Sequence, residues 1–214
     1  RDGNDVLGEL ALVGDQKLEA VLEDDGIHDE CAGNPLRGDH ALGLEAGIPE
    51  DVVFKPKWRI ALELIQRSRA EGVPLRWITA DEFYGRAGPF RDGVAAMGLW
   101  YVLEIPSNLS GWTRAPRVEP AGAVLASGRT LKHSRVAEGE RAARLVSELW
   151  HRGGPSWQLY RVKETEKGPV VWEVRETRFF PNRGRVPGAE VRLLVAREVL
   201  TGEIKYFLAH APKE

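Results

Sequence analysis

Two adjacent carboxylates, Asp81 and Glu82, close the run LRWITA at residues 75–80, which is apolar on both alternations except at Arg76. Such a run reads as a strand covered on both faces, and ligands of α/β sheets collect where strands end. Asp81 is therefore a candidate metal ligand; the competing reading is a cap for the helix that follows. A second acidic pair, Asp24 and Asp25, ends AVLEDDGI, where Glu23 interrupts the apolar approach, so a strand end and a turn both stay open. Other chemistries lack their residues. Cys31 is the single cysteine, which excludes an intrachain disulfide and a thiolate zinc cluster, and its neighbours His28 and His40 sit in a loop-like acidic stretch. There is no Gly-rich loop ending in Gly-Lys-Ser/Thr and no GxSxG, and His133–Ser134 has no evident third member for a hydrolytic triad.

The elements around Asp81 are legible from spacing. Ile60, Ala61, Leu64 and Ile65 recur at helical intervals after Pro56, and Gly72 and Pro74 end that helix. Residues 75–80 follow as a strand, residues 90–97 as a second helix stopped by Gly98, and residues 99–105 (LWYVLEI) as a second strand stopped by Pro106. Helix, strand, helix, strand with short connections predicts a parallel pair with crossover helices, and Asp81 at the carboxyl end of the first strand. Residues 107–133 have no usable period and are rich in Gly, Pro, Ser and Arg; Trp112, Arg114, Arg117, Arg129 and Lys132 make this loop a candidate DNA contact. The spacing of Ala142, Leu145, Val146, Leu149 and Trp150 predicts a helix over 136–151. The tail alternates as antiparallel strands at 157–164, 169–180, 190–199 and 203–209, turning at TEKG and TG.

Charge is divided unevenly along the 214 residues. Residues 1–51 hold 14 acids and 3 bases, a net −11, which leaves 18 acids and 27 bases, a net +9, for residues 52–214. A basic body predicts a polyanionic partner. No apolar run approaches the ~20 residues of a membrane span and the first ten residues carry no signal-like pattern, so a cytoplasmic chain is expected.

From about residue 44 to 212 the chain resembles insertion-sequence transposases of the DDE superfamily. The resemblance is carried by EAGIPEDVVFKPK (45–57), GVPLRWITADEFYG (72–85), GLWYVLEIP (98–106), RVKETEKGPVVWEV (161–174) and LLVAREVLTGEIKYFLAHAP (193–212). It implies an α/β fold: a partial RNase H-like core, a mixed sheet with crossover helices, followed by a β-rich antiparallel insertion subdomain. It assigns Asp81, in the ADxxYG motif, as the second acid of a catalytic triad that binds Mg²⁺ or Mn²⁺. It further implies two-metal phosphodiester chemistry on DNA (transposon ends and target) and a homodimer. The nearest match to the first acid is Asp24 or Asp25, without the family's Thr and lysines. The third acid belongs to a helix after the YFLxxAP strand, whereas the chain ends at Glu214, so a catalytically incompetent, truncated or degenerate copy is expected. The alternatives are a non-catalytic DNA-binding module and a non-functional relic. The expected organisation is an acidic segment at 1–43, the RNase H-like part at 44–106, a basic loop and helix at 107–155, and the β-rich insertion with its return strand at 156–214.

Overall fold

The computed structural model describes residues 54–125, 127–149, 156–166 and 168–211. The chain separates into two units, Arg1–Ile60 and Ala61–Glu214, and the fold below is that of the second, apart from the first turn of its leading helix. Asp24 and Asp25, and the acidic segment at 1–43, lie outside the described residues.

Helix α1 (Lys57–Ala70) ends on Gly72, whose φ of 87° is a left-handed conformation that glycine adopts without steric cost. Strand β1 (Trp77–Ala80) then stops at Asp81, and a short helix α2 (Glu82–Arg86) leads into α3 (Gly88–Ala96) and β2 (Trp100–Ile105). β1 and β2 are parallel, in register from Trp77 opposite Trp100 to Ala80 opposite Leu103, with α2 and α3 as the crossover. The helices lie over the face that carries Ile105, since a Cβ on Gly85 would come within van der Waals reach of that side chain. Helices α1 and α3 approach closely where a Cβ on Gly93 would overlap the Leu62 methyls, and Arg69 caps α3 by donating to the Met97 carbonyl at 2.7 Å.

The remaining strands are β3 (Ser110–Trp112), β4 (Val118–Glu119), β5 (Arg135–Val136), β6 (Arg144–Leu145), β7 (Gln158–Thr165), β8 (Gly168–Arg183), β9 (Val186–Pro187), β10 (Val191–Glu198) and β11 (Ile204–His210). The main sheet runs β1-β2-β11-β10-β8-β3-β6, with β7 and β9 also on β8, and every pair other than β1–β2 is antiparallel. The two predicted hairpins form as read: β7 turns into β8 with Thr165 opposite Gly168, and β10 returns as β11. Strand β11 pairs with β2 on its other side, so one sheet is mixed and continuous across both α/β and β-rich stretches. Side chains alternate across a strand, so the register puts Ala80, Leu103, Leu208, Leu193 and Thr177 in one row on one face. Leu103, Leu193 and Leu208 have no exposed surface and form the centre of the core with Phe90, Val94 and Phe179.

Three expectations are corrected. Strand β1 is not covered on both faces: it ends the described sheet and leaves Thr79 exposed, while β2 is the strand buried almost throughout. The helix expected over 136–151 shrinks to a single turn, α4 (Val146–Leu149). Its intended first turns contain Gly139 at φ 81°, and its flanks are drawn into strand pairs, Val136 with Val118 and Leu145 with Ser110, so tertiary pairing overrides helical spacing. Residues 107–133 are not structureless either, since they hold β3, β4 and a bridge between Val124 and Thr130.

Leu208 is expected to be among the costliest side chains to truncate. Leu208→Ala should lower the unfolding free energy by about 2–5 kcal/mol, read as a lower urea midpoint at unchanged slope.

Candidate functional site

Asp81 is exposed at the carboxyl end of β1 and its side chain is engaged. With an extended backbone (φ −73°, ψ −176°) it is the N-cap of α2, and its Oδ1 accepts the Phe83 N–H at 3.0 Å and the Tyr84 N–H at 3.4 Å. The Asp81 carbonyl accepts the Gly85 N–H at 2.9 Å, closing the turn. The rest of the motif serves this turn. Tyr84 is buried between Phe83 and Phe90, with ring centroids at 5.1 and 5.2 Å. Gly85 passes so close to β2 that a Cβ would overlap the Glu104 carbonyl oxygen; only glycine lets α2 lie directly on the end of the neighbouring strand. The sequence offered a cap and a metal ligand as competing roles; the cap is observed, and it occupies one carboxylate oxygen and leaves Oδ2.

No group of three or more His, Cys, Asp or Glu able to hold a metal ion occurs among the described residues. Glu104, on the adjacent strand, is directed to Lys205 at 3.3 Å, and Asp92 to Arg183 at 2.5 Å. Among the described residues, Asp81 and its neighbour Glu82 are therefore not joined by a third such group. Asp25 lies outside the described residues.

Four residues that spacing did not single out lie at or near the crossover. Arg91 is only 4% exposed and donates through Nη1 to the Gly85 carbonyl, at the far end of the helix that Asp81 begins. Arg183, at the end of β8, donates to the Gly88 carbonyl at 3.0 Å and pairs with Asp92. Burial, and then the Arg183 charge, push the Arg91 guanidinium below its ordinary range. Tyr101 is buried beside them, and burial pushes its phenol up to about 12. His210, whose ring lies 5.5 Å from that of Tyr101, is lowered by burial. Arg91 next to Phe90 and three positions before Val94 was the available signal, a cation on the apolar stripe of α3; Arg183 left none.

The basic stretch is a ribbon. β4 and β5 pair antiparallel, Glu119 and Arg135 bridging them at 2.8 Å, and the Val136 N–H reaches the Arg185 carbonyl at 3.2 Å in the turn after β8. Arg114, Arg129 and Lys132 are exposed, and Arg129 and Lys132 form no ion pair among the described residues. Arg117 differs: its Nε holds Glu140 at 2.8 Å, which lowers the Glu140 carboxyl below its usual range. Trp112 corrects the expectation of an exposed stacking platform, being 8% exposed with its indole N–H donated to the Arg141 carbonyl at 2.8 Å. The Ser134 hydroxyl accepts the Ala121 N–H at 3.0 Å, a turn bond.

These features define a mixed α/β protein with a carboxylate at the carboxyl end of a parallel strand and a cation-bearing ribbon. The chain belongs to the DDE superfamily endonucleases, whose family model matches residues 27–169, more than half of the sequence and including Asp81. Membership implies an RNase H-like fold, a DNA substrate and the use of divalent metal. No curated protein matches the chain. No described helix is long and apolar enough to cross a membrane.

If Asp81 caps α2, Asp81→Ala should lower the unfolding free energy by about 1 kcal/mol and Asp81→Asn by clearly less, because asparagine caps about as well; denaturant titration of the pair decides it. Tyr101 gives a pH test. Its folded pKa of about 12 lies above the unfolded value of 10, so its contribution is intact below pH 10 and is lost as the unfolded phenol ionises first, between pH 10 and 12. Tyr101→Phe should remove part of that alkaline loss of stability, read as a flatter unfolding free energy above pH 10.

Proposed function

We propose that this chain carries the second acid of a DDE-type insertion-sequence transposase, Asp81, on an RNase H-like core, with residues 107–155 and the β-rich stretch 156–214 as its DNA-facing insertion. The reaction class is cleavage of DNA phosphodiesters and strand transfer, supported by Mg²⁺ or Mn²⁺. The observation that carries the reading is the coincidence of the family match with the position of Asp81 at the carboxyl end of β1. The cap adds a physical reason for the role: two backbone N–H groups fix one carboxylate oxygen, so the other is held in a defined direction. The residue contributes one ligand, and Asp25 is the nearest candidate for a first.

A second reading, a non-catalytic DNA-binding module, is favoured by the net +9 of residues 52–214 and the exposed cations of residues 107–133. Both readings share the DNA surface. Arg129 and Lys132 form no ion pair among the described residues and Arg114 is exposed near Glu140, whereas Arg117 holds Glu140 directly.

The 214-residue chain alone is expected to show no Mg²⁺- or Mn²⁺-dependent nicking of duplex DNA. Nicking that disappears in Asp81→Asn, which keeps the cap, would overturn the inactivity and establish Asp81 as a catalytic ligand. DNA affinity is expected to fall steeply with salt, and replacing Arg114, Arg129 and Lys132 by alanine should reduce the slope of log K against log[salt] by roughly one per residue that contacts a phosphate. Arg117→Ala should change it least. Binding that ignores salt, or no binding at low salt, would remove the DNA reading.

A further inference from the structure

The hairpin between β8 and β9 touches two otherwise separate parts of the molecule. On one side, the Arg185 carbonyl receives the Val136 N–H and so holds the β4–β5 ribbon. On the other, Arg183 reaches 91 positions back in sequence to Asp92, at 2.5 Å, and also donates to the Gly88 carbonyl at 3.0 Å. The fit at Gly88 is close: a Cβ there would occupy the space of the Arg183 guanidinium. Gly88, Arg91 and Asp92 fall three and four positions apart, on one side of α3. From that side Arg91 bonds the Gly85 carbonyl at the end of α2, and the start of α2 is held by the Asp81 carboxylate. Polar contacts therefore run from the ribbon through Arg185 and Arg183 to Gly88 and Asp92 on α3. Others run from Arg91 on the same side of α3 to Gly85 and the turn that Asp81 begins, and the rigid helix joins the two sets.

We infer that Arg183 is a positioning residue: it fixes α3, and through Arg91 and Gly85 the orientation of the Asp81 cap, while its hairpin sets where the basic ribbon stands relative to that acid. The second half of this statement rests on the DNA reading above, and the first half does not. A short side chain at 183 leaves the ribbon's cations in place and removes the tie between them and Asp81. Two separate perturbations reach the same contact, loss of the guanidinium in Arg183→Ala and expulsion of it by a methyl in Gly88→Ala.

Amide hydrogen exchange followed by NMR on the full chain tests the first half, because Phe83 and Tyr84 donate to Asp81 directly. Both variants should speed exchange of these two amides by about tenfold, while core amides such as those of Leu193 and Leu208 change by less than about twofold. Arg183→Lys, which keeps the charge against Asp92 on a shorter side chain, should fall between. Unchanged exchange at Phe83 and Tyr84 would overturn the inference, and so would a uniform increase throughout the sheet, which signals general destabilisation. Should Arg183→Ala unfold the chain, Asp92→Asn at an exposed position carries the same comparison, and no change at Phe83 and Tyr84 there again overturns it.

DNA tests the second half. With Cys31→Ser and Glu82→Cys carrying a tethered iron chelate, hydroxyl radicals cut bound DNA close to Asp81. Arg183→Ala should weaken that localised cutting at least fivefold, with the salt dependence of binding unchanged. Undiminished cutting overturns the placement of the ribbon. Absence of DNA binding by the unsubstituted chain overturns that placement together with the DNA reading, while the exchange experiment still decides the positioning of Asp81.

Discussion

Strand β11 makes two pairings at once, with β10 through the hairpin and with β2 across about a hundred residues of sequence, and the described fold depends on it. It is what turns a parallel β1–β2 unit and an antiparallel meander into one sheet. Its inward side chains are the ones that complete the core: Leu208 lies between Leu103 and Leu193, all without exposed surface. Pairings this distant in sequence carry a loop-closure cost before they return any stabilisation, so they need a row of large apolar contacts to hold. The same row ends on Ala80, one residue before Asp81, which fixes the height of the acid relative to the β-rich part.

The acid itself answers one demand in the structure and keeps an oxygen for the role proposed above. As an N-cap, Asp81 satisfies two backbone donors through Oδ1. A ligand role needs Oδ2 and further carboxylates, which the described residues do not bring. The two roles are compatible in chemistry, since an ionised carboxylate has lone pairs for both. Capping alone is a sufficient reason for an aspartate here, so its presence does not by itself establish catalysis; the family match over residues 27–169 is the ground on which the ligand role is proposed.

How much of this was legible follows from where the information resides. The crossover, the parallel pair and both hairpins were readable because apolar period and turn residues are local, as at Gly72, Gly98 and the TEKG turn. The position of Asp81 at a strand end followed from the same pattern. The one-turn α4 was not readable, because Leu145 and Val146 keep helical spacing while Ser110 pairs with Leu145 from 35 positions away. Trp112 misled for a related reason: glycine and arginine neighbours mark a loop, but burial there is supplied by Arg141 and the strands around it. Arg183 was invisible, since its partners are a backbone carbonyl and an aspartate on a helix that composition alone does not place beside it.

The charge excess seen in the sequence is redistributed by the fold, and this bears on where a polyanion can rest. Across the main sheet the cations are largely answered: Arg178 by Glu190, Arg192 by Glu176, Arg197 by Glu173 and Lys205 by Glu104. Arg175 and Arg197 additionally stack against Trp157. Exposed pairs of this kind contribute little to stability, yet they cancel the field at a distance. Arg129 and Lys132, between the two ribbon strands, are exposed and form no ion pair among the described residues. The ribbon that carries them is tied through the Arg185 carbonyl to the β8–β9 hairpin, and Arg183 of that hairpin is bonded to the start of α3, so on the DNA reading proposed above one piece of structure relates these cations to the helix beside Asp81.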